Sequence, residues 1–122
     1  LLAMAISTHA EQLIGCVELD DISWRARTAE LRVCIGERDY WGKGYGTAAM
    51  MLFMDYVFGN LNIDYVYLRV YRANERALRC YKKCGFRVEG LLKAGNRQTT
   101  GHEDLVLMGY RRNSAQVLKA LD

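Results

Sequence analysis

A chain of 122 residues is long enough to bury one core and too short for two. Its composition, 51% hydrophobic and 25% charged, is that of an ordinary globular protein and excludes a disordered or low-complexity chain. The net charge of +3 comes from scattered basic residues, not from a basic face with interleaved aromatics, so no nucleic-acid partner is expected.

With no proline in the chain, glycine and hydrophobic periodicity punctuate it. Leu1 to Ile6 reads as a short strand, Ser7 to Gln12 as a turn and Leu13 to Leu19 as a second strand, giving a hairpin. Asp20 to Thr28 is polar apart from Ile22 and Trp24. Ala29 to Gly36 alternates, with Leu31, Val33 and Ile35 on one face and Glu30, Arg32 and Cys34 on the other. Thr47 to Asn60 is rich in helix formers and apolar nearly all round, which predicts a helix buried against a sheet. Tyr65 to Tyr71 alternates again. Asn74 is a good N-cap, Glu75 suits a helix N-terminus, Lys82 and Lys83 suit a C-terminus, and Gly85 ends that helix as a left-handed cap. Phe86 to Leu92 and Asp104 to Tyr110 are the last strands, joined by the loop Lys93 to Glu103. The order ββ-β-α-β-α-β-β predicts a three-layer α/β fold around a mixed sheet, one domain over residues 1–110 with a tail at 111–122.

The longest apolar run, Ala48 to Met54, cannot cross a bilayer, and the start lacks the basic flank of a signal peptide, so no membrane partner and a cytoplasmic location are expected. Cys16, Cys34, Cys80 and Cys84 form no Cys-x-x-Cys, and His9 and His102 lie far from them in sequence. No metal site is expected, and the thiols are expected reduced and packed, Cys80 and Cys84 one helical turn apart.

The chemistry is concentrated between Glu37 and Thr47. Gly42, Gly44 and Gly46 stand where a strand gives way to a helix, a place where backbone N–H groups converge on a phosphate with help from the helix dipole. A P-loop fails because Gly42-Lys43 is followed by Gly44 and not by Ser or Thr. Gly44-Tyr45-Gly46-Thr47-Ala48-Ala49 fits a dinucleotide fingerprint literally. However, Glu37 to Gly42 separate it from the strand, and Tyr71-Arg72 stand where a ribose-binding acid belongs.

Trp41-Gly42-Lys43-Gly44-Tyr45-Gly46 resembles the Gln/Arg-x-x-Gly-x-Gly/Ala pattern of GNAT-type N-acetyltransferases, with Trp41 in place of Gln or Arg. Asn74-x-x-Ala77-x-x-x-Tyr81-x-x-x-Gly85-Phe86 is similar to the second half of that family's signature, and the order of elements between the two also agrees. The style is that of ribosomal-protein alanine and polyamine acetyltransferases.

The resemblance implies a GNAT-like fold that takes acetyl-CoA as co-substrate in a cleft between two splayed parallel strands, Ala29–Gly36 and Tyr65–Tyr71. Val33, Cys34 and Ile35 would pair their backbone with the pantetheine arm, and one of those amides would polarise the thioester carbonyl. Gly42, Lys43, Gly44, Tyr45, Gly46 and Thr47, with Trp41 before them, would hold the pyrophosphate, and Asn74 would meet the pantetheine arm.

Tyr81 falls on the family's general-acid position. For the base, Glu30 matches a carboxylate common in relatives and Glu18 is the second candidate. Cys34 has no His nearby in sequence and the family transfers directly, so no acetyl-cysteine is expected. The implied function is acetyl transfer by direct attack of a primary amine, on a small molecule or a protein N-terminus. The other class of function kept open is a silent CoA-binding regulatory module. A homodimer is compatible with either. Finally, the chain opens at Leu1 inside an apolar segment, and the family's acceptor-binding helices have no counterpart. This predicts a longer polypeptide with roughly 40–60 further residues before Leu1.

Overall fold

The computed structural model describes residues 2–7, 13–35, 45–93 and 104–112. Six strands form one sheet: β1 (Leu2–Ser7), β2 (Leu13–Ser23), β3 (Thr28–Ile35), β4 (Tyr65–Tyr71), β5 (Arg87–Leu92) and β6 (Leu105–Arg111). Two helices, α1 (Tyr45–Asn60) and α2 (Glu75–Lys83), follow β3 and β4. The spatial order is β1-β2-β3-β4-β6-β5. Among the described residues only the β3–β4 pair is parallel and the other four pairs are antiparallel. The element order expected from the sequence is the one observed. One difference lies in β2, which runs on through the polar residues to Ser23 instead of stopping at Leu19.

Alternation sets the two faces of the sheet. Val17 and Leu19 of β2, Ala29 and Leu31 of β3, Val66, Leu68 and Val70 of β4, and Val106 and Met108 of β6 are all buried in one cluster. Helix α1 adds Met50, Phe53, Met54, Val57 and Phe58, spaced as one helical stripe. Each large side chain so buried stabilises the fold by about 1.5–3 kcal/mol.

Helix α1 is buried against the sheet as expected, but its opposite side is not covered. Met51 is 51% and Leu52 72% exposed, because among the described residues a single sheet offers only one face to bury against. Helix α2 is amphipathic and short, and lays Ala77, Leu78, Cys80 and Tyr81 against the same cluster.

Both helices end in ways that fix their placement. No basic residue stands in the last turn of α1. Arg112, arriving from the end of β6, supplies the missing cation: it donates to the carbonyls of Phe58 (2.6 Å), Leu61 (2.7 Å) and Ile63, and pairs with Asp64 at 3.1 Å. Helix α2 starts at the Asn74 cap, whose Oδ1 accepts from the Ala77 N–H at 3.2 Å. It stops at Gly85, where φ is +105° and an added Cβ would lie 2.6 Å from the Tyr110 ring. The N-cap and the left-handed stop are where the sequence placed them.

Candidate active site

The parallel pair is where the sheet opens. Strands β3 and β4 are in register at Thr28–Tyr65, Ala29–Val66 and Glu30–Tyr67, and there the pairing stops. Strand β3 continues to Ile35 still paired to β2, and β4 continues to Tyr71 still paired to β6. Between Leu31–Ile35 and Leu68–Tyr71 the two strands therefore present backbone groups to which no strand among the described residues is paired. An extended ligand can complete such an edge as an added strand. Helix α1 follows β3 and helix α2 follows β4, so both helix N-termini lie beyond the carboxyl ends of these strands, the side on which open α/β sheets bind ligands.

The two N-termini differ. That of α2 is satisfied internally by the Asn74 side chain and by Glu75 in its first turn. That of α1 has no acidic residue in its first turn to offset the positive end of the helix dipole.

Thr47, in this first turn, ties α1 to α2: its hydroxyl lies 3.2 Å from Cys80 Sγ, and its carbonyl accepts from the Cys84 thiol at 3.7 Å. Tyr81, between the two cysteines, is half-buried with its ring 6.3 Å from that of Phe86. Burial, and then the neighbouring Cys80 and Cys84, push its pKa up to about 12. The phenol thus keeps its proton at neutral pH, and no described residue accepts it.

Glu30 sits at the point of divergence. Its side chain is buried, yet β3 turns it away from the apolar cluster, onto the face that carries Tyr65, Tyr67 and Arg69. Arg69, just past the last β3–β4 pair, reaches back and donates from Nε to Oε2 at 2.7 Å and from Nη2 to Oε1 at 3.1 Å. Arg32 stands 3.6 Å from the same carboxylate. On that face Tyr67 donates to Asp21 at 2.9 Å, and Tyr65 donates to Glu89. Burial and these hydrogen bonds push both phenols up to about 12.

Of the site residues expected from the sequence, the structure brings Glu30, Val33, Cys34 and Ile35 onto one strand at the opening. Thr47, Asn74 and Tyr81 lie on the helices that flank it. Tyr45 and Gly46 open α1. Trp41, Gly42, Lys43 and Gly44 lie outside the described residues. Glu18, the second candidate base, is on β2, paired across to Arg32. Arg69 escaped sequence reasoning. It reads as one polar position in an alternating strand, and only the end of the β3–β4 pairing shows why an arginine is there. Among the described residues no group of His, Cys, Asp and Glu could hold a metal, and no helix is long and apolar enough to cross a membrane.

A family model for the acetyltransferase (GNAT) domain matches residues 2–87. Over 78 residues the chain is 46% identical to the spermidine N(1)-acetyltransferase of Escherichia coli K12, an alignment covering 64% of this chain and 41% of that protein. The Vibrio cholerae enzyme of the same name is 38% identical over 82 residues, 67% of this chain and 47% of its own. A crystal structure of spermidine N-acetyltransferase from Vibrio cholerae, in complex with CoA and spermine, superposes with a TM-score of 0.79. Its identity is 29%, covering 98% of this chain and 68% of that one. The chain thus spans less than half the length of the curated relatives it matches. The splayed parallel strands, the two flanking helices and the match over residues 2–87 agree: the chain belongs to the GNAT acetyltransferase family.

Proposed function

We propose that the polypeptide carrying this chain is an acetyl-CoA-dependent N-acetyltransferase whose acceptor is a polyamine. The observation that carries the reading is the parallel pairing that stops at Glu30–Tyr67, beside a helix N-terminus left without an acid of its own. Acetyl-CoA lies in that opening, its pantetheine arm along the backbone of Val33 to Ile35. Its pyrophosphate lies at the N-terminus of α1, held by amides from Gly42 to Thr47, with Trp41 and Lys43 alongside. Asn74 keeps its amide NH2 for the pantetheine arm while its Oδ1 caps α2.

The neutral amine attacks the thioester carbonyl carbon, and a β3 amide takes up the charge that develops on the oxygen. Collapse breaks the C–S bond, and the leaving sulfur takes the Tyr81 proton, which a pKa near 12 keeps in place until that moment. Glu30, positioned by Arg69, receives the proton lost by the amine through intervening water. The polyamine assignment is supported by the curated relatives, which carry that activity in their names. Assembly into a homo-oligomer is proposed on the same footing, since a Vibrio cholerae neighbour is described as dodecameric.

The test is release of free CoA thiol by the full-length polypeptide given acetyl-CoA and a panel of spermidine, spermine, N-terminal peptides and aminoglycosides. Spermidine or spermine should be the best acceptor. A better turnover on peptides would reject the polyamine. Tight CoA binding with no turnover on any amine would favour a silent CoA-binding module.

A further inference from the structure

Two side chains near the proposed cleft have no part in acetyl transfer. Cys80 and Cys84 project from the last turn of α2 toward Thr47 in the first turn of α1. Cys80 is partly exposed and Cys84 is buried. Cys80 Sγ is faced by the Cys84 thiol and by the Thr47 hydroxyl, both able to donate a hydrogen bond to a thiolate. The Cys84 thiol donates to the Thr47 carbonyl at 3.7 Å, so one residue of α1 contacts both sulfurs.

We propose that Cys80 is a modification site for peroxide-class oxidants, that Cys84 resolves the product to a disulfide, and that closing the pair disables α2.

The hydrogen bond from Cys84 draws the Cys80 thiol down to about 6, against its burial and with help from Thr47 and the Lys83 ammonium. The Cys84 thiol is pushed the other way, chiefly because its proton bridges to Cys80, and further by its burial. The two thiols are thus shifted in opposite directions, Cys80 toward the thiolate and Cys84 toward the thiol, the division of labour that a nucleophile and a resolving group need. The Cys80 thiolate attacks one oxygen of hydrogen peroxide. The S–O bond forms, the O–O bond breaks, and the departing hydroxide takes a proton to become water. Sulfur from Cys84 then attacks the Cys80 sulfenic acid. The S–S bond forms, the S–O bond breaks, and the hydroxyl leaves as water with the Cys84 proton. Two thiols and one peroxide become one disulfide and two waters.

The closure cannot leave the helix intact. Residues one turn apart hold their Cβ atoms about 5–6 Å from each other, whereas a disulfide asks for about 3.5–4.5 Å. The chain can yield there, since Cys84 is the C-cap and Gly85 with its positive φ follows at once. The turn that opens contains Tyr81, whose carbonyl accepts from the Cys84 and Phe86 N–H groups at 3.1 and 3.0 Å. Loss of acetyl transfer is the expected consequence. This last step rests on the role proposed for Tyr81, whereas the thiol chemistry does not.

The experiment exposes the reduced full-length protein to hydrogen peroxide, blocks remaining thiols with N-ethylmaleimide and digests with trypsin, which cuts after Arg79, Lys82, Lys83 and Arg87. The expected product is the peptide Cys80–Lys82 linked to Cys84–Arg87, separable by dithiothreitol. It should form before Cys16, whose thiol faces the Glu18 carboxylate at 3.8 Å, is consumed. Cys84→Ser should leave a dimedone-reactive sulfenic acid on Cys80, and Cys80→Ser should abolish early oxidation at Cys84. Absence of the linked pair, oxidation of Cys84 in Cys80→Ser at the wild-type rate, or earlier reaction at Cys16 would overturn the assignment. Acetyl transfer is read in parallel. Full activity in a fully linked sample would overturn the claim that closure disables α2. A protein that links its cysteines but never acetylates an amine would sink the proposed function and leave the modification site standing.

Discussion

Replacing Glu30 by Gln tests both the chemistry and the architecture of the opening. The substitution keeps the shape and removes the charge from a carboxylate that is 5% exposed and held by two hydrogen bonds from Arg69. A hydrogen bond to a charged group contributes about 1.5–3 kcal/mol when buried. Here the Arg69 side chain is 45% exposed, so solvent screening brings the pair to the lower end of that range, about 2 kcal/mol in all. For a domain of this size that is a fall in Tm of roughly 6–12 °C. Arg69→Met should cost a similar amount, and the double variant little more than either single one, because the two residues act on each other.

Their kinetic effects should separate. If Glu30 takes the amine proton, Glu30→Gln lowers kcat by roughly 10²–10⁴-fold with KM for acetyl-CoA nearly unchanged. Arg69→Met, which touches no reacting atom, should keep kcat within about tenfold. Thermal melts and steady-state rates on four proteins, wild type, two singles and the double, complete the cycle. Equal losses of kcat in both single variants, accompanied by a rise in KM for acetyl-CoA, would refute the role of base and make the pair a clasp that only holds β3 and β4 at their parting.

Tyr81→Phe should lower kcat by roughly 10²-fold or more while acetyl-CoA affinity by calorimetry stays within about twofold; near-normal turnover would make Tyr81 a packing residue. Arg112→Ala strips the carbonyls of Phe58, Leu61 and Ile63 of their shared donor, and should destabilise by about 3 kcal/mol in denaturant unfolding, with helix loss confined to α1 by hydrogen exchange. In the fold Tyr65, Tyr67 and Tyr81 are pushed up to about 12 from an unfolded value near 10.0, so the fold favours their neutral forms. Their contribution to stability is complete below pH 10 and is lost as pH rises toward 12. Absorbance near 295 nm should show three phenols titrating late, one fewer in Tyr67→Phe, and uniform titration near pH 10 would contradict it.

Much of the fold was legible because the signals were local. The alternation of β3 and β4, the Asn74 cap and the Gly85 stop each depend on neighbours a few residues away, and each is found as read. Helix α1 was legible as a helix but not in its burial. Its sequence is apolar on every side, so composition could not say that Met50, Phe53, Val57 and Phe58 face the sheet while Met51 and Leu52 face away. Which stripe is inside is decided by where β3 delivers the chain, a tertiary fact. The end of α1 is a like case. With no basic residue in its last turn, its cation comes from Arg112, more than fifty residues after the carbonyl of Phe58 that it holds. In the sequence that arginine is one of the scattered basic residues, at the start of the tail 111–122.

The site divides along the same line. Residues proposed to act through their own backbone, such as Val33 to Ile35, or that cap their own helix, such as Asn74, can be placed from a motif because the motif encodes local geometry. Residues that act across the opening cannot. Arg69 means nothing until β3 and β4 are known to part at Glu30–Tyr67, for only then does a guanidinium on one strand become the partner that a buried carboxylate on the other requires. Cys80 and Cys84 were legible as a pair by their spacing, which predicts two thiols on one helix face and nothing more. Thr47, thirty-three residues away from Cys80, is brought within 3.2 Å by the packing of α1 on α2, and this contact adds to what Cys84, one turn along the same helix, does to the Cys80 thiol.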